Sequence, residues 1–288
     1  MIEKYYDGAI EQVAAGLGTV EKNHLLVRYS GQFSIEELSY TDQLEKMENI
    51  FVQMHEFEPG EITSAYEPYL TMICDGFRRY MTGTFEEFME ECDVYYLHRP
   101  VLLGYFNRGY AKREEIILLD EVAYEQERML AALERMLYAI ADRHPVLLIL
   151  NRFQLASKST MQLTARILKA ENSNIGLVLG VSDIQAMPEF LVPDWEMLYE
   201  TLDDGSKIYH IGNSGRKKEE IADDGKYADY GSEKVYRKLQ NMVEFLDFDQ
   251  AAYYLEVIER KIKFDNLFVD DPARFRMWLL FAKVSILR

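Results

Sequence analysis

Two apolar runs decide the fold of this chain: Val146-Leu147-Leu148-Ile149-Leu150 and Ile175-Gly176-Leu177-Val178-Leu179-Gly180-Val181. Continuous apolar runs of this length suit strands that are covered on both faces. Between them, residues 158–169 carry apolar side chains at helical spacing. A strand, a helix and a second strand in close succession form a βαβ unit, and this unit predicts a parallel sheet flanked by helices.

The same kind of pattern extends on both sides of this unit. A helical pattern precedes the first run and is ended by Pro145, which cannot continue a helix. Residues 84–120 are acidic and aromatic and give no clear prediction. We expect further strands at 25–29, 50–54 and 208–211, and further helices at 9–17, 66–81 and 123–143.

The character of the sequence changes after residue 212. Residues 213–232 are rich in glycine and charge and predict a linker. From Glu233 onward the pattern is purely helical, and it continues to Arg288 without a capping residue, so we expect the helical region to extend further. We expect an α/β domain over 1–212, a linker over 213–232 and a helical region over 233–288. The predicted apolar stripes of its three helices are Val235, Leu239, Met242, Val243 and Leu246; Ala251, Tyr254, Leu255 and Ile258; and Phe275, Trp278, Leu279, Ala282 and Ile286.

Composition excludes several partners. The formal charge is −17, from 32 Lys and Arg against 49 Asp and Glu. Nucleic acid is bound through Lys and Arg that displace counterions, so we expect neither nucleic acid nor an anionic membrane as a partner. The N-terminus lacks an apolar signal core, and Cys74 and Cys92 suit buried thiols of a reduced protein better than a disulfide. We therefore expect a cytoplasmic protein.

No side chain is a candidate for catalysis or metal binding. The five histidines are scattered, and none lies at a metal-ligand spacing with a cysteine or a second histidine. Ser159, Ser182 and Ser285 lack the flanking glycines of a nucleophile elbow. Residues 116–121 match the apolar-run-plus-acid form of a Walker B motif. Their acids, however, precede the helix predicted over 123–143, whose first turn favours negative charge.

The predicted first strand is followed by the layout of a phosphate-binding loop. Gly31 comes directly after this strand and before a helical pattern. A functional loop needs a second glycine, a lysine and a serine or threonine at fixed spacing from the first glycine. Those positions hold Glu36, Glu37 and Leu38, so two carboxylates replace the groups that would bind phosphate. The alternative is that Gly31 is only a turn glycine and that no nucleotide site ever existed here.

Short segments around the first apolar run occur in a characteristic order: Leu137-Tyr138-Ala139-Ile140, Pro145, Val146–Leu150, Asn151-Arg152 and Leu155-Ala156-Ser157. In this order they resemble the AAA-type module of the signal-transduction ATPases with numerous domains, the STAND group. Residues 5–11 are similar to the family's N-terminal glycine–arginine–glutamate box, with Gly8 as the glycine and Ala9 in place of the arginine. Tyr66-Glu67-Pro68-Tyr69 resembles a tyrosine–proline stretch that follows the second strand in the family. The resemblance covers residues 5–212.

The departures from the family pattern imply a pseudo-ATPase. The resemblance places the Mg²⁺-binding aspartate at Asn151, next to Arg152, and the phosphate-binding lysine at Glu37. A neutral amide binds Mg²⁺ less well than a carboxylate does, and an acid repels phosphate. We therefore expect no cofactor, with Gly8, Gly31, Glu36, Glu37, Asn151 and Arg152 as vestigial positions. The alternative is an ATP- or ADP-dependent switch with Mg²⁺, in which Arg28 or Arg152 supplies the cation.

The C-terminal region resembles tetratricopeptide repeats. Residues 246–254 are similar to the turn into the second helix of such a repeat, with Ala251 as the small residue and Asp247 in place of the usual glycine. The resemblance implies a regulatory or scaffolding module whose helices bind a protein partner or an output domain. A further alternative is a repeat-type adaptor whose α/β part is unrelated to ATPases.

Overall fold

A parallel β-sheet forms the centre of the protein, for which a computed structural model describes residues 2–19, 24–30, 33–35, 49–111, 121–170, 172–182, 187–203, 207–211, 233–264 and 271–287. The strands are β1 (His24–Tyr29), β2 (Phe51–Glu56), β3 (Val146–Asn151), β4 (Ile175–Ser182) and β5 (Lys207–Ile211). They pair in parallel in the order β2-β3-β4-β1-β5. The predicted parallel sheet flanked by helices is therefore confirmed.

The helices differ more from the prediction than the strands do. They are α1 (Ile2–Gly16), α2 (Tyr69–Tyr80), α3 (Phe85–Glu91), α4 (Arg99–Arg108), α5 (Val122–Ala141), α6 (Lys158–Lys169), α7 (Val192–Asp203), α8 (Glu233–Glu244), α9 (Phe248–Phe264) and α10 (Asp271–Leu287). α6 has the predicted bounds, whereas α1 begins at Ile2 rather than at residue 9. No pattern predicted α3, α4 or α7. None of the described helices is both long and apolar enough to cross a membrane.

Different helices cover the two faces of the sheet, because side chains alternate along each strand. Leu25 and Val27 of β1 are buried with α1 in one cluster, which also contains Val178 of β4. Leu26 belongs to the larger cluster on the other face, where α2, α5, α6 and α7 pack. The central strands are thus buried on both faces, as their continuous apolar runs predict.

Two glycines of β4 let α1 approach the sheet closely. A Cβ on Gly176 would lie 2.4 Å from a methyl group of Val13, and a Cβ on Gly180 would lie 2.4 Å from the hydroxyl oxygen of Tyr6. Both distances are well below van der Waals contact, so no larger residue fits without movement. α1 therefore runs antiparallel to β4, with Tyr6 at the carboxyl end of the strand.

The C-terminal helices continue the larger buried cluster. α8, α9 and α10 pack on one another, and their buried side chains are contiguous with those beneath the sheet. Phe245, between α8 and α9, packs its ring against the rings of Tyr66 and Tyr105, with centroids 6.0 and 5.9 Å away. The helical region and the sheet therefore share one hydrophobic core.

The predicted apolar stripe of the last helix is wrong, although the stripes of α8 and α9 are buried or partly buried. The predicted residues of α10 are exposed, with 65% of Phe275 and 64% of Trp278 accessible to solvent. A different set is buried in this helix: Ala273, Met277, Leu280 and Val284. Because α10 carries apolar residues on all sides, periodicity could not identify its buried face.

Candidate functional site

The carboxyl edge of the sheet contains a topological switch point. The chain leaves β1 toward β2 at one edge of the sheet, and leaves β4 toward β5 at the other. Because parallel crossovers are right-handed, connections that leave in opposite directions are expected on opposite faces of a sheet. Phe33 and Ile35, after β1, accordingly lie in the cluster with α1, whereas α7, before β5, packs against α6. Open α/β sheets bind ligands in the crevice at such a point.

Three strands end at this edge with a polar residue. Tyr29 is the last residue of β1, Glu56 the last of β2 and Asn151 the last of β3, with Glu56 and Asn151 paired in register. Alternation along the strands places all three on the face that α1 covers. They form a network with neighbouring residues, and we call the whole group the strand-end cluster: Tyr6, Tyr29, Phe33, Ser34, Ile35, Glu56, Asn151 and Arg152.

The side-chain amide of Asn151 lies at the centre of the cluster and is fully buried. Its Oδ1 accepts a hydrogen bond from the Tyr29 hydroxyl over 2.6 Å. Its Nδ2 donates to the carbonyl oxygen of Phe33 at 3.3 Å and to Oε1 of Glu56 at 3.4 Å. An aspartate in this position would bring a second carboxylate against Glu56, which is unfavourable in a buried site. The amide therefore fits an environment in which Glu56 already supplies the negative charge.

The Glu56 carboxylate takes donors from the segment after β1. Its Oε2 accepts the hydroxyl of Ser34 and the backbone N–H of Ile35, both over 2.9 Å. Its Oε1 pairs with Nη2 of Arg152 at 3.1 Å. Hydrogen bonds to an ionised acceptor are roughly twice as strong as neutral ones. An internal anion thus occupies donors that an external anion would need.

Arg152 bridges the cluster to the surface. Its Nη1 lies 3.2 Å from Oε2 of Glu58, in addition to the pair with Glu56, so two carboxylates face one guanidinium. Its side chain is 19% exposed and that of Glu56 is 13% exposed. The backbone of Arg152 is left-handed, with φ 53° and ψ 41°, where the chain turns from β3 into the 3-10 turn at Phe153–Leu155. Strain of this kind at a strand end is typical of sites that position side chains.

Three aromatic rings fill the rest of the crevice. The ring centroids of Tyr6, Tyr29 and Phe33 lie 5.2 to 6.5 Å apart, in tilted and edge-to-face arrangements. Burial raises the phenol pKa of both tyrosines well above its ordinary value, so both stay neutral. Within the described residues, the buried Tyr6 hydroxyl has no hydrogen-bond partner. The described part of the crevice is thus lined by aromatic side chains and offers no tyrosine that titrates near neutral pH.

The structure brings together only part of the predicted site. Asn151, the last residue of β3, and Arg152, which follows it, both lie in the strand-end cluster. Gly8 does not, because it lies on the exposed side of α1, where a Cβ would meet no atom within 4 Å. Gly31, Glu36 and Glu37 lie outside the described residues, as does the predicted linker over 213–232.

Sequence reasoning missed most members of the cluster. Glu56 was not identified because the predicted second strand ended at Met54, two positions before the last residue of β2. Tyr6 lies in the predicted N-terminal box but had no assigned role. The sequence did contain one signal for this cluster. The carboxyl ends of parallel strands meet at one edge of the sheet, so polar residues at the predicted strand ends are candidates for a common site.

Within the described residues, no group of three or more His, Cys, Asp or Glu side chains could hold a metal ion. The carboxylate of the strand-end cluster accepts internal donors, and the cation of the cluster, Arg152, faces two carboxylates. No protein-family model matches the sequence, and no curated protein matches it significantly.

Proposed function

We propose that this chain is a non-catalytic regulatory or scaffolding module, in which a degenerate P-loop-type α/β domain is coupled to helices that bind a protein partner. The observation that carries the proposal is the position of the Glu56 carboxylate. It accepts the Ile35 N–H and the Ser34 hydroxyl, which follow β1, where a phosphate-binding loop would offer its donors to a nucleotide. A side chain of the protein itself holds the anion position.

The strand order separates this sheet from two common doubly wound sheets. β1 lies between β4 and β5, not next to β2. This differs from the two common doubly wound orders, 3-2-1-4-5-6 and 2-1-3-4-5, in which the first two strands are neighbours.

A nucleotide would have to compete with the internal anion. Two like unit charges 4 Å apart repel by about 1 kcal/mol in bulk water and by about 4 kcal/mol near a protein surface. The two cations that a nucleotide-dependent switch would use already have partners. Arg152 faces Glu56 and Glu58, and the guanidinium of Arg28 lies over the ring of Tyr199, 5.3 Å from its centroid. These contacts favour the non-catalytic module over the switch.

Contacts at the start of α6 support the coupling between sheet and helical region. α6 follows β3 and the strand-end cluster in the chain, and the turn between α8 and α9 packs against its first residues. The buried carboxylate of Asp247 accepts the Ser159 N–H at 3.2 Å, and Gln250 Oε1 accepts the Lys158 N–H at 3.3 Å. The Lys158 ammonium pairs with Asp249 at 2.5 Å. A displacement of β3 and α6 would therefore change the contacts that α6 makes with α8 and α9.

Isothermal titration calorimetry with ATP, ADP and GTP, each with Mg²⁺, tests the nucleotide part of the proposal. We expect no tight, Mg²⁺-assisted binding that depends on Arg152, and no rise in the unfolding temperature at low nucleotide concentration through linkage of binding to folding. Tight Mg²⁺-assisted binding that disappears in Arg152→Gln would contradict the proposal and favour the switch. Arg108→Gln, at the exposed end of α4, is the charge-matched control and should behave like the wild type.

A further inference from the structure

A cavity of about 450 Å³ lies between α8 and the segment that precedes α2. We call it the α8 cavity. The residues that bear on its chemistry are Ser64, Glu67, Glu233, Lys234, Arg237 and Lys238. None of them belongs to the strand-end cluster, so this is a separate place in the fold.

One face of α8 lines the cavity with cations. Arg237 and Lys238 follow Lys234 by three and four positions, which places both on the same side of the helix as Lys234. The carboxylate of Glu61 pairs with both lysines, at Nζ–Oε1 distances of 3.3 Å to Lys234 and 2.7 Å to Lys238. One acid thus faces two ammonium groups.

The other carboxylates near the cavity also have donors. Glu233 is shared by two guanidinium groups, at 3.3 Å from Arg237 and 2.9 Å from Arg276. Glu67 accepts the backbone N–H of Ser64 at 3.1 Å. The three cations that line the α8 cavity therefore face three carboxylates, so the cavity does not share the acidic excess of a chain whose formal charge is −17.

The wall of the cavity holds a hydroxyl that lacks a partner. Ser64 is only 6% exposed, and within the described residues its Oγ makes no hydrogen bond. Buried polar atoms are almost always hydrogen-bonded, because leaving one unsatisfied is unfavourable. A rotation of the Ser64 side chain toward the cavity would bring its Oγ to a ligand oxygen and supply the missing partner.

We propose that the α8 cavity binds a small oxyanion, the phosphate or carboxylate group of a metabolite, through Lys238, Arg237 and Ser64. The two cations supply charge-assisted hydrogen bonds, and the Ser64 hydroxyl donates to the same anion once its side chain has rotated toward the cavity. The cavity also lies against the first turns of α8, where the helix dipole is positive. Its volume falls in the range of small-molecule pockets and leaves room for a ligand larger than the anion alone.

Titration of the full chain with inorganic phosphate, pyrophosphate and succinate tests this proposal. Ionic strength is held constant with chloride, and binding is followed by calorimetry and by amide chemical shifts. We expect saturable binding of at least one probe with a roughly millimolar dissociation constant. The strongest probe distinguishes a phosphate ligand from a carboxylate ligand.

Variants locate the binding site. Lys238→Gln should weaken binding about tenfold, since it removes a charge-assisted contact. Its partner Glu61 keeps Lys234 in this variant, so the fold should persist. Ser64→Ala removes only the hydroxyl and should weaken binding without a change of charge. Lys263→Gln, on the exposed side of α9, is the matched control and should leave the dissociation constant unchanged.

Two results would overturn the proposal. The first is the absence of a saturable response to all three probes. The second is binding that persists unchanged in both Lys238→Gln and Ser64→Ala. The strand-end cluster is tested separately by Arg152→Gln, which should not alter oxyanion binding to the α8 cavity.

Discussion

The Glu56 carboxylate accepts the backbone N–H of Ile35 over 2.9 Å, and this contact joins the end of β2 to the segment after β1. These two strands are not neighbours, because β3 and β4 lie between them in the sheet. The same carboxylate pairs with Arg152 after β3 and contacts Asn151. One side chain therefore holds together three chain segments at the carboxyl edge.

Glu56→Gln should lower the free energy of unfolding by about 1–3 kcal/mol, because it leaves the partly buried Arg152 without its nearest counter-charge. Urea denaturation followed by circular dichroism measures this change. Glu58→Gln is the matched control, since Glu58 contacts the same guanidinium but its side chain is 50% exposed. The control should cost less than about 1 kcal/mol. Equal losses in the two variants would mean that the partly buried pair of Glu56 and Arg152 contributes no more to stability than the exposed pair of Glu58 and Arg152.

Gly180→Ala should destabilise the protein by about 1–3 kcal/mol, because the new methyl group would overlap the Tyr6 hydroxyl and Oδ1 of Asn151. Gly8→Ala is the control on the exposed side of α1, where the change should be neutral or stabilising by up to about 1 kcal/mol. Thermal unfolding of both variants gives the comparison. A Gly180→Ala protein as stable as the wild type would show that α1 does not approach β4 this closely.

Asp247 should make stability depend on pH in a defined direction. Burial raises the pKa of its carboxyl group, although hydrogen bonds from Ser159 act in the opposite sense. The folded protein therefore holds this proton more tightly than the unfolded chain does. The contribution of Asp247 to stability is greatest below its ordinary pKa of 3.8 and falls as the pH rises toward the folded-state pKa.

Asp247→Asn removes this titration and isolates its effect. The unfolding free energy of the wild type minus that of Asp247→Asn should decrease between about pH 3.5 and about pH 7, measured by urea denaturation. Asp249→Asn changes the charge by the same amount at a side chain that is 40% exposed, and should not reproduce the decrease. A difference that grows with pH would show that the folded state favours the ionised carboxylate.

Phe245→Ala should cost about 3–5 kcal/mol, because the ring is fully buried between the helical region and the sheet. Phe275→Ala removes an equally large side chain from the exposed side of α10 and should change stability by less than about 0.5 kcal/mol. Chemical denaturation of the two variants tests whether the helices share the core of the sheet. Similar small losses would indicate two independently stable parts.

The sequence predicted the sheet because β3 and β4 are buried on both faces, which leaves uninterrupted apolar runs. It also placed Asn151 and Arg152 at the end of β3, and the structure has them in the candidate site. It could not identify Glu56, because β2 is only partly buried beyond Phe51 and its apolar pattern ends before the last residue of the strand. One donor to Glu56 is the backbone N–H of Ile35, and a main-chain donor cannot be recognised from the pattern of side chains.

The last helix shows a different limit. Periodicity identifies a buried face only when the opposite face is polar, and α10 has no polar face. Its true core residues, such as Met277 and Leu280, are chosen by contact with α8 and α9. Such contacts follow from tertiary packing, which a single sequence does not display.

The close fit of α1 against Gly176 and Gly180 has a practical consequence. Since the helix runs antiparallel to β4, residue 2 emerges at the carboxyl edge of the sheet, beside Tyr6 and Tyr29. An affinity tag or fluorescent protein fused ahead of Met1 would therefore crowd the very crevice that binding assays probe. Reagents for such assays are better attached through an exposed side chain far from this edge, such as that of Lys263 on α9.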